Sequence, residues 1–315
     1  MILEIGMKKL TGTINLLKLS SETDKMKNII IVSIWLSVGI SLATGKASYA
    51  DSHVNEEVAE KLSMTLPDNM GIVPYGEEGT MLYVIEKPPN QARGIFLSMQ
   101  GSGGCLYGNR GPIQDEEALI ANGGPSPRHP SIIIRSASNL AGYGLKVILP
   151  NCPDVGGESS DKIYTSAINK ILSKENRDNL PVFVGGMSRG SIRATNIASR
   201  LGSKIRGAII MSGSTDNTHD GTMFDPPIKK ATSSFLLLIH ENDQCSSSES
   251  LEGLKSFSEE LTGVTAKKIV QLTGGTPSRG SGRGPWCSAR SHHGFNGIHD
   301  QVLEVMKPWI LKRIN

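Results

Sequence analysis

Residues 181–190 read PVFVGGMSRG, and they are the most informative segment of the sequence. The apolar run at 181–185 predicts a buried strand, and a helix-like stretch, Ser191–Leu201, follows the segment closely. Between them, GMSRG at 186–190 matches G-x-S-x-G. In a strand-to-helix setting, the glycines of this pattern let the backbone turn sharply and lift the serine hydroxyl into the open. We therefore predict that Ser188 is a nucleophile. The alternative is an inert serine in a glycine-rich turn.

Strand-like and helix-like segments alternate along the rest of the chain. This alternation predicts an α/β fold with a mostly parallel central sheet of about eight strands and helices on both faces. The unbroken apolar run FLLLI at 235–239 is expected when both sheet faces are buried. The predicted strands are Met81–Glu86, Gly94–Met99, Lys146–Leu149, Pro181–Gly185, Gly207–Ser212, Ser234–His240 and Lys267–Leu272. The predicted helices are Ser131–Gly142, Lys162–Ser173, Ser191–Leu201, Ser248–Leu261 and Ile298–Leu311.

A nucleophilic serine needs a base that takes its proton and a carboxylate that orients the base. Asp243 follows the strand Ser234–His240 by three residues, so it can lie at the carboxyl edge of the sheet beside Ser188. The alternative for Asp243 is an ordinary helix-capping residue. His293 precedes the terminal helix and is the predicted base. Its neighbour His292 remains a rival, because periodicity does not decide which ring faces the serine.

An attacked carbonyl also needs donors for its developing oxyanion. The glycine-rich loop QGSGG at 100–104 follows the strand Gly94–Met99. We predict that the backbone amide of Ser102 or Gly103 is one donor and that of Arg189 the other. A dinucleotide-binding turn does not fit this loop, since Leu106 stands where G-x-G-x-x-G requires its last glycine.

The motifs QGSGG, GMSRG, HEND (240–243) and HHGF (292–295) resemble, in order and spacing, those of α/β-hydrolases of the serine-hydrolase type. The resemblance covers roughly residues 80 to 312. HGF followed by a helix is also similar to dienelactone-hydrolase-like proteins and small esterases. Two departures stand out: Gln100 replaces a histidine that many members carry, and the nucleophile is serine rather than the cysteine of dienelactone hydrolases. The resemblance implies an α/β-hydrolase fold with Ser188, Asp243 and His293 as a catalytic triad.

Charge and composition exclude other classes of protein. Residues 1–50 hold six lysines against three acidic residues, which leaves 27 basic and 27 acidic residues in 51–315. A neutral domain lacks the clustered basic charge that nucleic-acid or anionic-membrane binding requires. The spacing of cysteines and histidines fits no zinc pattern. We expect no metal, no organic cofactor and no nucleic-acid partner.

The N-terminal 50 residues predict a signal peptide rather than part of the fold. Ile29–Ala43 is a largely apolar run that follows two lysines and precedes the small-residue stretch ASYA at 47–50. It is shorter than the ~20 residues of a membrane span, so we expect cleavage after Ala50 and no stable span afterwards. The expected organisation is an N-terminal extension and signal peptide over 1–50 and a single catalytic domain over 51–315. The expected location is secreted or periplasmic.

All four cysteines lie in the expected mature part: Cys105, Cys152, Cys245 and Cys287. In an oxidising compartment an even number predicts disulfides, with three possible pairings. Set against the α/β-hydrolase resemblance, a Cys245–Cys287 bridge would join the loops that carry acid and base. A Cys105–Cys152 bridge would brace the predicted oxyanion loop.

The function predicted from these residues is hydrolysis of a small-molecule ester or related carbonyl substrate through an acyl-enzyme. A serine peptidase or acyltransferase would share the same triad. A protein of another class, a hydrolase-fold binding protein without turnover, is also open. The intact order of Ser188, Asp243 and His293 argues against it.

Overall fold

The structure is a computed structural model. It describes residues 5–7, 14–16, 59–60, 63, 66, 68–75, 79–101, 131–151, 157–215, 221–248, 251–276 and 285–314. The chain divides into two compact units, Met1–Asp51 and Ser52–Asn315. In the first unit, strands β1 (Ile5–Met7) and β2 (Ile14–Leu16) form an antiparallel pair. The predicted signal run at 29–43 lies outside the described residues.

The second unit is built on one eight-stranded sheet. Its strands are β3 (Met70–Tyr75), β4 (Gly79–Glu86), β5 (Gly94–Met99), β6 (Leu145–Pro150), β7 (Val182–Ser188), β8 (Ile205–Gly213), β9 (Ser234–His240) and β10 (Lys267–Leu272). Across the sheet they run in the order β3, β4, β6, β5, β7, β8, β9, β10. Neighbours from β6 to β10 are parallel, and β4 is antiparallel to both β3 and β6. The mostly parallel sheet of about eight strands is thus confirmed.

Helices cover both faces of the sheet. They are α1 (Ile132–Arg135), α2 (Ala137–Gly142), α3 (Gly157–Glu175), α4 (Arg189–Leu201), α5 (Leu251–Glu260) and α6 (His299–Ile314). Alternate residues of β9 join two different apolar clusters, as the two-residue period of a strand requires. Leu236 and Leu238 pack with residues of α1, α2 and α6, whereas Leu237 and Ile239 pack with residues of α3, α4 and α5.

The predicted helix Ser131–Gly142 is two short helices. Ser136 separates them, and its hydroxyl donates back to the carbonyl oxygen of Ile132 at 2.7 Å. A serine that bonds to the preceding turn in this way bends a helix. Within the described part of the chain, no helix combines the length and apolar character needed to cross a membrane.

Candidate active site

Ser188 lies at the junction of β7 and α4. It is the last residue of the strand, and the helix begins at Arg189. Its backbone has φ 54° and ψ −128°, a region that residues other than glycine rarely occupy. Such strain persists only where the surroundings enforce it, and it is concentrated at functional sites. The residue is 8% exposed.

The surrounding glycines explain how this turn is enforced. A Cβ on Gly186 would lie 2.0 Å from the carbonyl oxygen of Gly190. A Cβ on Gly190 would lie 2.4 Å from the carbonyl oxygen of Met99, at the end of β5. Both distances are far below van der Waals contact, and both involve backbone atoms, which cannot move without displacing the strand or the helix. The turn therefore requires glycine at both positions of G-x-S-x-G.

We expect Gly190→Ala to lower the free energy of unfolding by about 3 kcal/mol, because the new methyl group must displace the end of β5. Gly142→Ala is the matched control, since a Cβ there meets nothing within 4 Å. Its stability should stay within about 0.5 kcal/mol of the wild type. Urea unfolding of both variants measures the difference. Equal stability of the two variants would contradict the packing described for the turn.

Asp243 lies in the loop that follows β9, and its side chain is 1% exposed. The backbone amide of Cys245 donates to its Oδ1 at 3.0 Å, and the Ser248 hydroxyl donates to its Oδ2. Burial by itself raises the pKa of this carboxyl. The hydrogen bond and charge of His293, with the bonds from Ser248 and Cys245, outweigh burial and leave the pKa of Asp243 below its ordinary value. The site thus holds Asp243 as a carboxylate.

His293 lies in a short 3-10 turn, His292–Gly294, and its side chain is 0% exposed. Its Nδ1 is 3.0 Å from Oδ2 and 3.2 Å from Oδ1 of Asp243. Because a carboxylate only accepts, Nδ1 carries the proton and Nε2 of the neutral ring is an acceptor. Among the residues that the structure describes, Nε2 has no hydrogen-bond partner.

The backbone of His293 is fixed at the same sheet edge as Ser188. The Ser212 hydroxyl donates to the carbonyl oxygen of His293 at 2.8 Å. Ser212 immediately precedes Gly213, which pairs with Ser188 across β7 and β8. The structure therefore brings the ends of β7, β8 and β9 and the His293 turn to one edge of the sheet.

Two further histidines, His292 and His240, stack on each other. The ring of His292 stacks on that of His240, with centroids 4.1 Å apart. His240 accepts the Asn242 amide at Nδ1 and contacts the Gly274 carbonyl oxygen through Nε2 at 2.7 Å. Burial lowers the pKa of His240, which favours this neutral form. Between the two rivals, the structure places His293 against the acid.

A disulfide joins Cys245 and Cys287, with their Cα atoms 4.5 Å apart. Cys245 follows Asp243 by two residues, and Cys287 precedes His293 by six. The bridge therefore ties together the loops that carry the acid and the histidine. Cys105 and Cys152 lie outside the described residues. The strands that precede them, β5 and β6, are parallel neighbours.

Comparison with solved structures identifies the architecture. Est1E from Butyrivibrio proteoclasticus superposes with a TM-score of 0.52 at 11% identity, covering 78% of this chain and 99% of its own. A soluble variant of monoglyceride lipase from Saccharomyces cerevisiae gives 0.52 at 14% identity, covering 79% and 96%. Dienelactone hydrolase from Anabaena variabilis gives 0.50 at 14% identity, covering 78% and 96%. The chain has the α/β-hydrolase fold. No protein-family model and no curated protein matches the sequence.

The α/β-hydrolase fold predicted from the motifs is thus confirmed. Of the predicted oxyanion loop at 100–104, Gln100 and Gly101 are described. Gly101 lies close to the Ser188 turn: a Cβ on Gly101 would be 3.6 Å from Cβ of Ser188 and 3.0 Å from the carbonyl oxygen of Met187. Ser102 and Gly103 lie outside the described residues. Arg189 is the first residue of α4.

Three residues that support this candidate site were not predicted from the sequence. Ser248 bonds the acid, Ser212 holds the histidine backbone, and the buried Arg193 donates to the carbonyl oxygen of Gln100. No local pattern marks Ser212 or Arg193, since their partners lie 81 and 93 residues away in the sequence. Ser248 lies only five residues after Asp243 in the same loop, but the residue types there do not show which serine faces the carboxylate. In the described part of the chain, no group of three or more His, Cys, Asp or Glu residues could hold a metal ion.

The lowered pKa of Asp243 makes stability depend on pH. A carboxyl whose pKa is lower in the folded state than in the unfolded chain stabilises the fold above its unfolded pKa of about 4 and loses this contribution as pH falls through the folded value. We expect the difference in unfolding free energy between wild type and Asp243→Asn to be largest near neutral pH and to shrink below about pH 4. Urea unfolding at neutral and acidic pH measures it. A difference that stays constant over this range would contradict the assignment.

Proposed function

We propose that the chain is a serine hydrolase that cleaves a small ester through an acyl-enzyme. The observation that carries the proposal is the buried His293–Asp243 pair at the sheet edge where the strained Ser188 turn lies. A buried histidine with a carboxylate at Nδ1 and no described partner at Nε2 has the form of a general base. A structural histidine would be expected to have both ring nitrogens satisfied, as His240 does.

In the proposed reaction, Ser188 Oγ attacks the ester carbonyl while Nε2 of His293 accepts its proton. Asp243 stabilises the resulting imidazolium through Nδ1. The negative charge on the carbonyl oxygen is met by backbone amides of Arg189 and of the loop after Gly101. Nε2 then gives the proton to the leaving alcohol as the tetrahedral intermediate collapses. Water attacks the acyl-enzyme by the same steps and restores Ser188.

The substrate class proposed is a small-molecule ester. The fold neighbours support it in general terms, because they include a lipase with a substrate analogue and Est1E with ferulic acid bound. Neutral charge over 51–315 fits an uncharged or weakly charged substrate better than a nucleic acid.

Turnover of p-nitrophenyl esters of increasing acyl length tests the proposal. We expect saturable hydrolysis by the wild-type chain, with one acyl length preferred. Absence of turnover across the series and across a set of peptides would favour the non-catalytic binding protein.

We also propose that the chain is exported. The apolar run at 29–43 and the small-residue stretch at 47–50 support export, as does the Cys245–Cys287 disulfide, because disulfides persist in oxidising compartments. N-terminal sequencing of the secreted or periplasmic protein tests it. The expected first residue is Asp51. An N-terminus upstream of residue 40 would overturn the proposal.

A further inference from the structure

A charged side chain is buried where α4 meets β5. Arg193 lies in the second turn of α4 and is 5% exposed. A guanidinium is charged at every physiological pH, and burying a charge is unfavourable unless hydrogen bonds compensate it. Its Nη1 donates to the carbonyl oxygen of Gln100 at 2.7 Å, across 93 residues of sequence. This hydrogen bond links the buried guanidinium of Arg193 to the backbone of Gln100.

That carbonyl belongs to the peptide that leads into the predicted oxyanion loop. Gln100 is the first residue after β5 and is itself buried. Its side-chain Nε2 donates to the carbonyl oxygen of Pro150 at the end of β6, at 3.2 Å. Gln100 is thus held at its side chain by β6 and at its carbonyl by Arg193. At the next residue, Gly101, an added Cβ would lie 3.6 Å from Cβ of Ser188, so the backbone passes close to the serine turn here.

We propose that Arg193 is a positioning residue for the oxyanion loop, an inference that rests on the proposed hydrolase function. By holding the Gln100–Gly101 peptide, it fixes the chain at the point that leads into the predicted loop, whose backbone amides are the proposed oxyanion donors. Those amides matter when charge develops on the carbonyl oxygen, and much less when the substrate binds. Loss of the contact therefore acts on kcat and leaves KM nearly unchanged.

The test compares Arg193→Lys, Arg193→Gln and Arg193→Met with the wild type. Arg200→Met is the matched control: Arg200 lies on the same helix, but its Nε donates to Asn196 within that helix. Each protein is assayed for kcat and KM on a p-nitrophenyl ester and for inhibition by a trifluoromethyl ketone, which forms a tetrahedral adduct resembling the transition state. Far-ultraviolet circular dichroism establishes folding.

We expect Arg193→Gln and Arg193→Met to lower kcat by about 10- to 100-fold with KM within about threefold of the wild type. The inhibition constant of the ketone should rise by the same factor as kcat/KM falls. Arg193→Lys should recover part of the loss, and Arg200→Met should match the wild type. If Arg193 has only a structural role, its replacement should lower stability, but the changes in ketone affinity and in kcat/KM should not match.

Three results would overturn the proposal. The first is a folded Arg193→Gln or Arg193→Met variant whose kcat stays within about threefold of the wild type. The second is a fall in kcat with unchanged ketone affinity, and the third is failure of all three variants to fold. If the wild type neither turns over esters nor reacts at Ser188, the hydrolase function fails and this inference fails with it. An active wild type with active Arg193 variants removes only the role of Arg193.

Discussion

Replacing Ser188 by alanine is expected to lower kcat for ester hydrolysis by about 10⁴- to 10⁶-fold, because no other group at the site replaces its hydroxyl as nucleophile. The fold should persist, since the substitution removes one buried oxygen and adds no volume. Steady-state hydrolysis of a p-nitrophenyl ester, with background subtracted, measures the loss.

A second serine provides the control for Ser188→Ala. Ser173 lies on the exposed part of α3, so Ser173→Ala should keep kcat within about twofold of the wild type. Ligand affinity, measured with a non-hydrolysable ester analogue, should survive in Ser188→Ala. Retention of turnover in Ser188→Ala would show that Ser188 is not the nucleophile.

Replacing His293 by glutamine is the second large effect. Glutamine keeps much of the side-chain size but cannot act as a base near neutral pH, so we expect kcat to fall by about 10³- to 10⁵-fold. His292→Gln is the matched control one residue away. Its ring stacks on His240, whereas the ring that bonds to Asp243 is that of His293, so kcat should stay within about threefold.

The pair of histidine variants separates the two bases that the sequence leaves open. Steady-state kinetics of the two full-length variants measure the difference in kcat, and the thermal unfolding midpoint of each variant shows whether it is folded. If His292→Gln carries the large loss and His293→Gln does not, the assignment is reversed. If both variants lose activity only in proportion to their unfolding, neither histidine is the base.

The strand–turn–helix around Ser188 was predictable because all its determinants are local. A strand, two glycines around a serine and a helix are adjacent in the sequence, and the close approaches of Gly186 and Gly190 explain why that pattern is required. Asp243 was predictable for a related reason, since the carboxyl end of a parallel strand lies at the edge where ligands bind.

The choice between His292 and His293 was beyond sequence reasoning. Both residues lie in one 3-10 turn, and their directions depend on contacts with Ser212, His240 and Asp243, which other elements supply. Strand β3 was missed because it contains Gly71 and Pro74, residues that argue against a strand. At the edge of the sheet a proline is tolerated, since no further strand needs its missing amide.

The burial of Arg193 could not be predicted from the sequence. An arginine in a helix that also carries other polar residues is predicted to lie on the solvent-exposed face. Its burial follows from the way α4 lies over the end of β5, where the chain after Met99 offers a carbonyl oxygen that the helix can reach. Only the tertiary arrangement of the two elements reveals that contact.

Labelling with a fluorophosphonate probe tests whether Ser188 is an activated nucleophile, because the probe reacts with serines that a neighbouring base activates. Peptide mass spectrometry then locates the adduct. We predict a single adduct on Ser188 in the folded, oxidised protein and its absence in His293→Gln, with labelling retained in His292→Gln. No adduct on Ser188 in the folded wild type, or an adduct that persists in His293→Gln, would contradict the assignment of Ser188 and His293 as nucleophile and base.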